Sequence, residues 1–332
     1  MTRRRGEVQI GTDPRWAVRI GGLDRSEARM LHALSDLEEV PLEGLALQHG
    51  VDADRARELH RLLDGASLLA PDPANRRGPD RDPVPARLGD DLRVHSLLID
   101  DGAARVGARA RRTVGIEGLG RTGAMVAGTL AAAGVGTLAL TDPRDVGPQE
   151  PGVGGVTERD VGAPREEVVA RVVTDLAPGV STGPCTGSRP DVVVLVDSYA
   201  TDPERALARR DAGVAVLPVV VREADAVVGP FVAPDASPCL RCVGLHHADA
   251  DKDWPLLVAQ LCSRGQRAPA PQESVLAHLV GAFAASQVLA VLDGEAPATA
   301  GASYEFALPQ PVGVRREWSA HPSCGCVDQL PA

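Results

Sequence analysis

The stretch Val114–Asp142, VGIEGLGRTGAMVAGTLAAAGVGTLALTD, decides the fold. Val114, Gly115 and Ile116 begin an apolar run, Glu117-Gly118-Leu119-Gly120 is a glycine turn, and Ala124 to Ala133 is a helix of small residues stopping at Gly134. A second apolar run, Leu138 to Thr141, follows Gly136 and closes on Asp142. Strand, glycine turn, helix, strand and an acid about 22 residues beyond the turn give the order of a dinucleotide-type βαβ unit, so the expected class is α/β. Val192 to Val196, Val214 to Val221 and Ala226 to Val232 add β-rich runs, and the first is nearly all valine, as a strand covered on both faces should be. A plainer possibility is that the glycines serve only tight strand-to-helix packing and that the acids cap helices.

Upstream the pattern changes. Val8 to Ile10 and Trp16 to Ile20 alternate as two short strands around the turn residues Gly11 to Pro14. Asp24 with Glu27 is a capping-box pair, and Ala28, Leu31, Leu34 and Leu37 recur at helical spacing after it. Pro41 starts a second helix, and Gly50-Val51-Asp52 leads into a third whose apolar side carries Ala56, Leu59, Leu62 and Leu63. Ser67 to Ala70 is expected to be a strand. This order resembles a winged helix, a small domain over 1–70. Between 71 and 91 Pro, Asp, Arg and Gly crowd out periodic apolar residues, which predicts an exposed linker before a larger domain over 92–332.

Composition narrows the function. The 332 residues are 44% hydrophobic and 24% charged, enough for a sizeable core. Aromatic residues make up only 2%, which excludes nucleic-acid binding on stacked aromatic platforms. The net charge of −10 opposes DNA and anionic lipid, and in the third helix Arg55, Arg57 and Arg61 alternate with Asp52, Asp54, Glu58 and Asp64. The basic start, Met1 to Arg5, runs into Gly6 and Glu7 and is no signal peptide. Apolar runs are expected to fall short of the roughly 18 residues of a membrane helix. A cytoplasmic protein is expected, and four of its six cysteines lie in two tight pairs that suit metal in a reducing compartment.

The ordered set Gly115 to Gly120, Ala133-Gly134-Val135-Gly136, Asp142, then Gly229-Pro230-Phe231 through Ser237-Pro238-Cys239-Leu240-Arg241-Cys242, resembles the ThiF/MoeB branch of the ubiquitin-activating adenylyltransferase superfamily. The resemblance spans 92–327 and implies a Rossmann-like ThiF-type domain whose turn, with Gly115, Gly118 and Gly120, binds ATP. It implies that Asp142 holds the ribose, that Asp197 holds Mg2+, and that a substrate's C-terminal carboxylate is activated as an acyl adenylate. Arg165, in Gly162-Ala163-Pro164-Arg165, stands where the family has a catalytic Lys. Glu117 stands where the family's turn usually has Gly. A carboxylate about 4 Å from a phosphate charge costs on the order of 4 kcal/mol at an effective dielectric near 20, a cost that Arg121 is expected to offset in part by pairing with Glu117. Glu150-Pro151-Gly152-Val153-Gly154 replaces the family's Asn-Leu-x-Arg-Gln, so the phosphate-facing Arg is gone.

Cys239, Cys242, Cys324 and Cys326 can supply four thiolates at about 2.3 Å to a structural Zn2+. In the family such a site pins a crossover loop to a C-terminal hairpin, here Ser303 to Leu308 and Val314 to Trp318. The second pair has one intervening residue rather than the family's two, and His321 is an alternative ligand if that pair cannot bite. His246 and His247 are expected at a surface or partner contact, and Cys185 and Cys262 are expected to be isolated buried thiols. Glu273 to Leu292 forms a helix with a broad apolar face, for the core or a second subunit, and the family is commonly dimeric.

A winged-helix-like front domain on a ThiF-like body resembles the peptide-binding partner proteins of azole-forming peptide biosynthesis, a branch of bacteriocin biosynthesis. That implies capture of a precursor leader peptide and its presentation to a separate modifying enzyme, with ATP and Mg2+ chemistry degraded. The rival expectation is an active adenylyltransferase of a small carrier protein or peptide, using Asp142, Arg165 and Asp197. A DNA-binding regulator is the third.

Overall fold

The computed structural model describes residues 2–4, 6–15, 17–34, 42–66, 68, 84–98, 102–183, 189–234, 236 and 238–326. The chain divides into two units, Met1–Gly107 and Ala108–Ala332.

In the first unit β1 (Thr2–Arg4), β2 (Glu7–Ile10) and β3 (Val18–Ile20) form an antiparallel sheet in that order. The sequence predicts β2 and β3. It conceals β1, because Thr-Arg-Arg has no apolar alternation and is held by the backbone ladder. The expected helices follow as α1 (Arg25–Leu34), α2 (Leu42–His49) and α3 (Ala53–Gly65). The capping box closes as predicted: the Asp24 N–H donates to Glu27 at 2.7 Å and the Glu27 N–H to Asp24 at 2.8 Å. Met30, Leu31, Leu45, Leu59 and Leu63 share a core. Leu62 is exposed, a correction to the expected apolar side, because Ala56, Leu59 and Leu63 already complete the buried stripe. Of the strand expected over Ser67 to Ala70, all but Leu68 lies outside the described residues, as does Leu37.

The linker expected over 71–91 lies outside them as far as 83. Its end is helical instead: a 3-10 turn over Ala86–Leu88 continues into α4 (Gly89–Leu98), followed by α5 (Gly102–Ala108). Asp90 and Asp91 sit in the first turn of α4, where carboxylates favour the helix dipole, and Leu88, Leu92 and Val106 pack together. Residues 92–107 therefore group with the first unit rather than the second.

The second unit carries β4 (Thr113–Glu117), α6 (Arg121–Ala132), β5 (Thr137–Thr141), α7 (Arg165–Leu176), β6 (Ser181–Thr182), β7 (Val192–Ser198), α8 (Pro203–Asp211), β8 (Ala215–Val221) and β9 (Asp225–Val228). It continues with α9 (Leu240–Ala250), α10 (Trp254–Arg267), α11 (Ser274–Leu292), β10 (Ala302–Ala307) and β11 (Val314–Glu317). One eight-stranded sheet runs β11-β10-β9-β8-β7-β4-β5-β6, parallel from β8 to β6 and antiparallel beyond. The chain leaves β4 for β5 on one side and later enters β7 on the other, so a crevice opens at the carboxyl ends of these strands. Val192–Val196 of β7 are buried, each worth roughly 1.5–3 kcal/mol relative to exposure. The strand expected from Ala226 to Val232 stops at Val228, and Val232 forms only an isolated bridge to Val216.

Helix α11 corrects the expectation about apolar runs: by length and composition it could cross a membrane, yet half of it is buried within the fold. Its Gly281 lies against Met125 of α6. Just after it, buried Asp293 accepts from the Arg109 guanidinium at 2.8 and 2.5 Å, and Arg109 also donates to the Ala133 carbonyl. That pair ties the end of α11 to the end of α6.

Candidate functional site

The glycine turn takes its predicted shape. Gly118 has φ +96°, and a Cβ there would stand 2.3 Å from the Val196 carbonyl oxygen, so the turn can lie against β7 only with glycine. A pocket of about 370 Å³ opens over it, lined by Glu117, Gly118, Gly120, Asp142, Arg165 and Asp197 among others. Of the six predicted nucleotide-site residues, only Gly115 is not brought to this pocket. It lies inside β4, packed against Val193.

Three of the pocket's carboxylates, Asp142, Asp197 and Glu117, pair with guanidiniums of the same chain. Asp142, at the end of β5, accepts from the Leu119 N–H at 2.8 Å, from the Arg144 guanidinium at 2.8 and 2.9 Å, and from Arg165 at 2.8 Å. Burial disfavours its charge, but the Arg144 and Leu119 hydrogen bonds and the fields of Arg165 and Arg144 outweigh it and hold the carboxyl below its ordinary range. Arg165, the first residue of α7, is buried and also binds Glu150. Burial works against the Arg165 charge, but Glu150 and Asp142 more than compensate and raise its pKa. Asp197, near the end of β7, accepts from Arg205 at 2.6 and 2.8 Å. Burial is the largest influence there and pushes its pKa up against the pull of Arg205.

Glu117 does not pair with Arg121, as the sequence suggested. It meets Arg209 at 2.6 Å and Arg205 at 3.8 Å, both from α8, while Arg121 donates to the carbonyls of Glu150, Pro151 and Gln272 and to the Ser274 hydroxyl. The Arg209 pair screens Glu117, so the repulsion estimated for a bare carboxylate is an upper bound. The wider balance matters more: the lining holds four carboxylates, Glu117, Asp142, Asp197 and Asp202, against three guanidiniums, Arg144, Arg165 and Arg205. Each of the three is engaged by a carboxylate of this chain. By formal charge these seven lining side chains sum to −1.

Arg144, Arg205, Arg209 and Gln272 escaped the sequence reading. Arg205 and Arg209 are four apart on α8 and so share a face, a signal that becomes specific only once the fold places that face beside Glu117 and Asp197. Cys262 also lines the pocket; its Sγ lies 3.7 Å from the Ala200 carbonyl, and burial, with Asp202 and Asp197, pushes its thiol up. Cys185 lies outside the described residues.

The four paired cysteines converge. Their sulfurs lie within 4.8 Å of one another, with Cys239 to Cys242 at 3.9 Å, Cys239 to Cys324 at 3.5 Å and Cys242 to Cys326 at 3.3 Å. A tetrahedron with metal–sulfur bonds near 2.3 Å has edges of about 3.8 Å, whereas a disulfide needs about 2.05 Å, so the cluster fits a four-coordinate metal. The short second pair bites because Gly325 between its cysteines adopts φ +69°. Thus His321 is not drawn in as a substitute ligand.

His321 instead meets His246 and Asp249 farther along α9. Its Nδ1 accepts from the Ser323 N–H at 3.1 Å, which leaves its proton on Nε2, 2.9 Å from Asp249, and His246 Nε2 lies 3.0 Å from the Ser319 carbonyl. This trio is a hydrogen-bonded clamp beside the cysteines. His247 stacks on Trp254.

A βαβ nucleotide-type turn, a crevice at the sheet's switch point and a four-cysteine cluster behind a C-terminal hairpin define an adenylyltransferase-like class. Residues 108–326 match the ThiF family, and the chain belongs to it. No curated protein sequence matches. Among solved structures, E. coli MccB with ATP is 14% identical with a TM-score of 0.63, over 98% of this chain and 96% of that one. The microcin C7 biosynthetic enzyme MccB in complex with N-formylated MccA gives 14%, 0.64, 98% and 96%. PaaA gives 15% and 0.66, over 94% of this chain and 96% of that one. At these identities the likeness is one of fold, and it extends over both units.

Proposed function

We propose that this protein is a binding and presentation partner: its first unit captures the leader of a precursor peptide, and its ThiF-like body delivers that peptide to a separate modifying enzyme of bacteriocin-type biosynthesis. The observation that carries this is the pairing within the pocket, in which Asp142, Asp197 and Glu117 are each held by guanidiniums of the same chain. Asp142 and Asp197 then serve as structural anchors, and ATP with Mg2+ is not used.

Leader capture uses β3, the edge strand of the sheet among the described residues, along which an extended peptide can add as a fourth strand by main-chain hydrogen bonds. The α3 surface supports this over DNA, since Arg55 is paired with Glu27 and Glu58, and Arg57 with Asp54. MccB structures that contain MccA give the peptide partner a precedent on this fold. The four cysteines hold a structural zinc, and the protein acts in the cytoplasm as a homodimer. An active adenylyltransferase of a carrier or peptide C-terminus, with Arg165 and Asp197 catalytic, is the second reading; the likeness to MccB captured with ATP favours it.

Titrating labelled leader peptides onto the full chain tests the first reading. Binding should survive without nucleotide and fall at least tenfold when Arg19, central in β3, is replaced by Pro, which removes a main-chain donor from the strand. Unchanged affinity in the folded Arg19→Pro variant would contradict it.

A further inference from the structure

The N-terminus of α6 is occupied by the chain itself. Gly120 caps the helix without offering a side chain, so the first N–H groups of α6 must find partners from outside the helix, as they do when they bind an anion. The Oε1 of Gln272 takes the Thr122 N–H at 2.7 Å. The same amide lies against Gly120: a Cβ built there would stand 2.9 Å from Gln272 Nε2.

The segment that delivers Gln272 is fixed at several points. It joins α10 to α11, and its sequence is Pro269-Ala270-Pro271-Gln272, in which two prolines restrict the backbone. The Ala270 N–H donates to Ser198 Oγ at 3.0 Å, and the Gln272 carbonyl accepts from Arg121 at 2.9 Å. Arg121 is itself anchored on the Pro151 and Glu150 carbonyls. Gln272 is thus held over the turn by a stiff, doubly anchored strap.

We propose that Gln272 is a specificity-determining residue that keeps phosphate groups off the α6 N-terminus, its amide oxygen standing where a nucleotide phosphate oxygen would accept the Thr122 N–H. This deepens the non-catalytic reading given above and rests on it. A neutral amide satisfies the helix end without bringing negative charge to a pocket that already has more carboxylates than guanidiniums. Exclusion by Gln272 is separable from exclusion by Glu117, because the two act on different parts of the turn.

The test compares ATP–Mg2+ affinity by titration calorimetry for the wild-type full chain, Gln272→Ala, Gln272→Ser and Glu117→Gly, with thermal melts to establish folding. Both Gln272 substitutions shorten the side chain beyond reach of Thr122, so either one that folds decides the matter. The expected result is a gain of about tenfold or more in affinity for ATP in the Gln272 variants, the scale of one hydrogen bond to a charged group. Adenosine affinity, which involves no phosphate, should not change. Weak wild-type binding with a gain in Glu117→Gly but none in the Gln272 variants would overturn the role of Gln272 and leave the non-catalytic reading standing. Tight wild-type binding of ATP would overturn both.

Discussion

Asp142 is the residue on which the pocket turns, because groups of its own chain meet its carboxylate from three sides. Its carboxylate is nearly fully buried and is met by two guanidiniums and a backbone N–H, so it is one hub of a polar network that holds β5, the glycine turn and α7 together. Replacing it by Asn leaves Arg165 with only one of its two carboxylate partners in a buried site. We expect a loss of about 3 kcal/mol in denaturant unfolding at pH 7, the scale of a broken buried ion pair. Because its folded pKa lies below the unfolded value near 3.9, the stability Asp142 contributes is complete above that value and disappears as the pH falls through the lowered folded pKa. Asp142→Asn should therefore unfold with a shallower acid dependence below about pH 4 than the wild type. Equal acid slopes would mean that Asp142 is not charged in the fold.

At the scale of elements, the joint between α9 and the C-terminal segment is the most specific feature. Cys239 caps α9 and Cys242 lies one turn on, while Cys324 and Cys326 approach from the chain that follows β11. His246 and Asp249 continue the same face of α9 and receive Ser319 and His321. A metal here cross-links segments that are far apart in sequence, so its loss frees both. Elemental analysis should find one zinc per chain, and Cys324→Ser should lose it and lower the melting temperature by roughly 10 °C, as a loss of about 3 kcal/mol does in a unit of this size. A metal-free wild type with an unchanged melt would contradict this.

The cysteine cluster was legible in the sequence because tetrahedral thiolate coordination imposes a spacing, and the βαβ unit because its periodicity and glycines are local. What was not legible depends on tertiary placement. Arg121 seemed suited to Glu117 by sequence distance, yet it turns to the carbonyls of 150, 151 and 272, and α8 supplies the partners instead. Helix α4 hid in a Pro- and Asp-rich stretch because its acids favour a helix start as readily as a loop. His321 looked like a spare ligand only while the left-handed turn at Gly325 was unseen.

Across the whole molecule, one chain combines a small sheet, edged by β3 among the described residues, with a ThiF body, and the likeness to the MccB fold covers 98% of it. If the body is a platform rather than a catalyst, its surviving acids and glycines are retained for folding, and the first unit carries the specificity. Peptide-dependent ATP–pyrophosphate exchange measures the alternative directly, since it requires a reversible acyl adenylate. No exchange above background is expected with full-length protein, Mg2+ and a peptide that binds it. Exchange that depends on that peptide and is abolished by Asp197→Asn would instead make the protein an active adenylyltransferase.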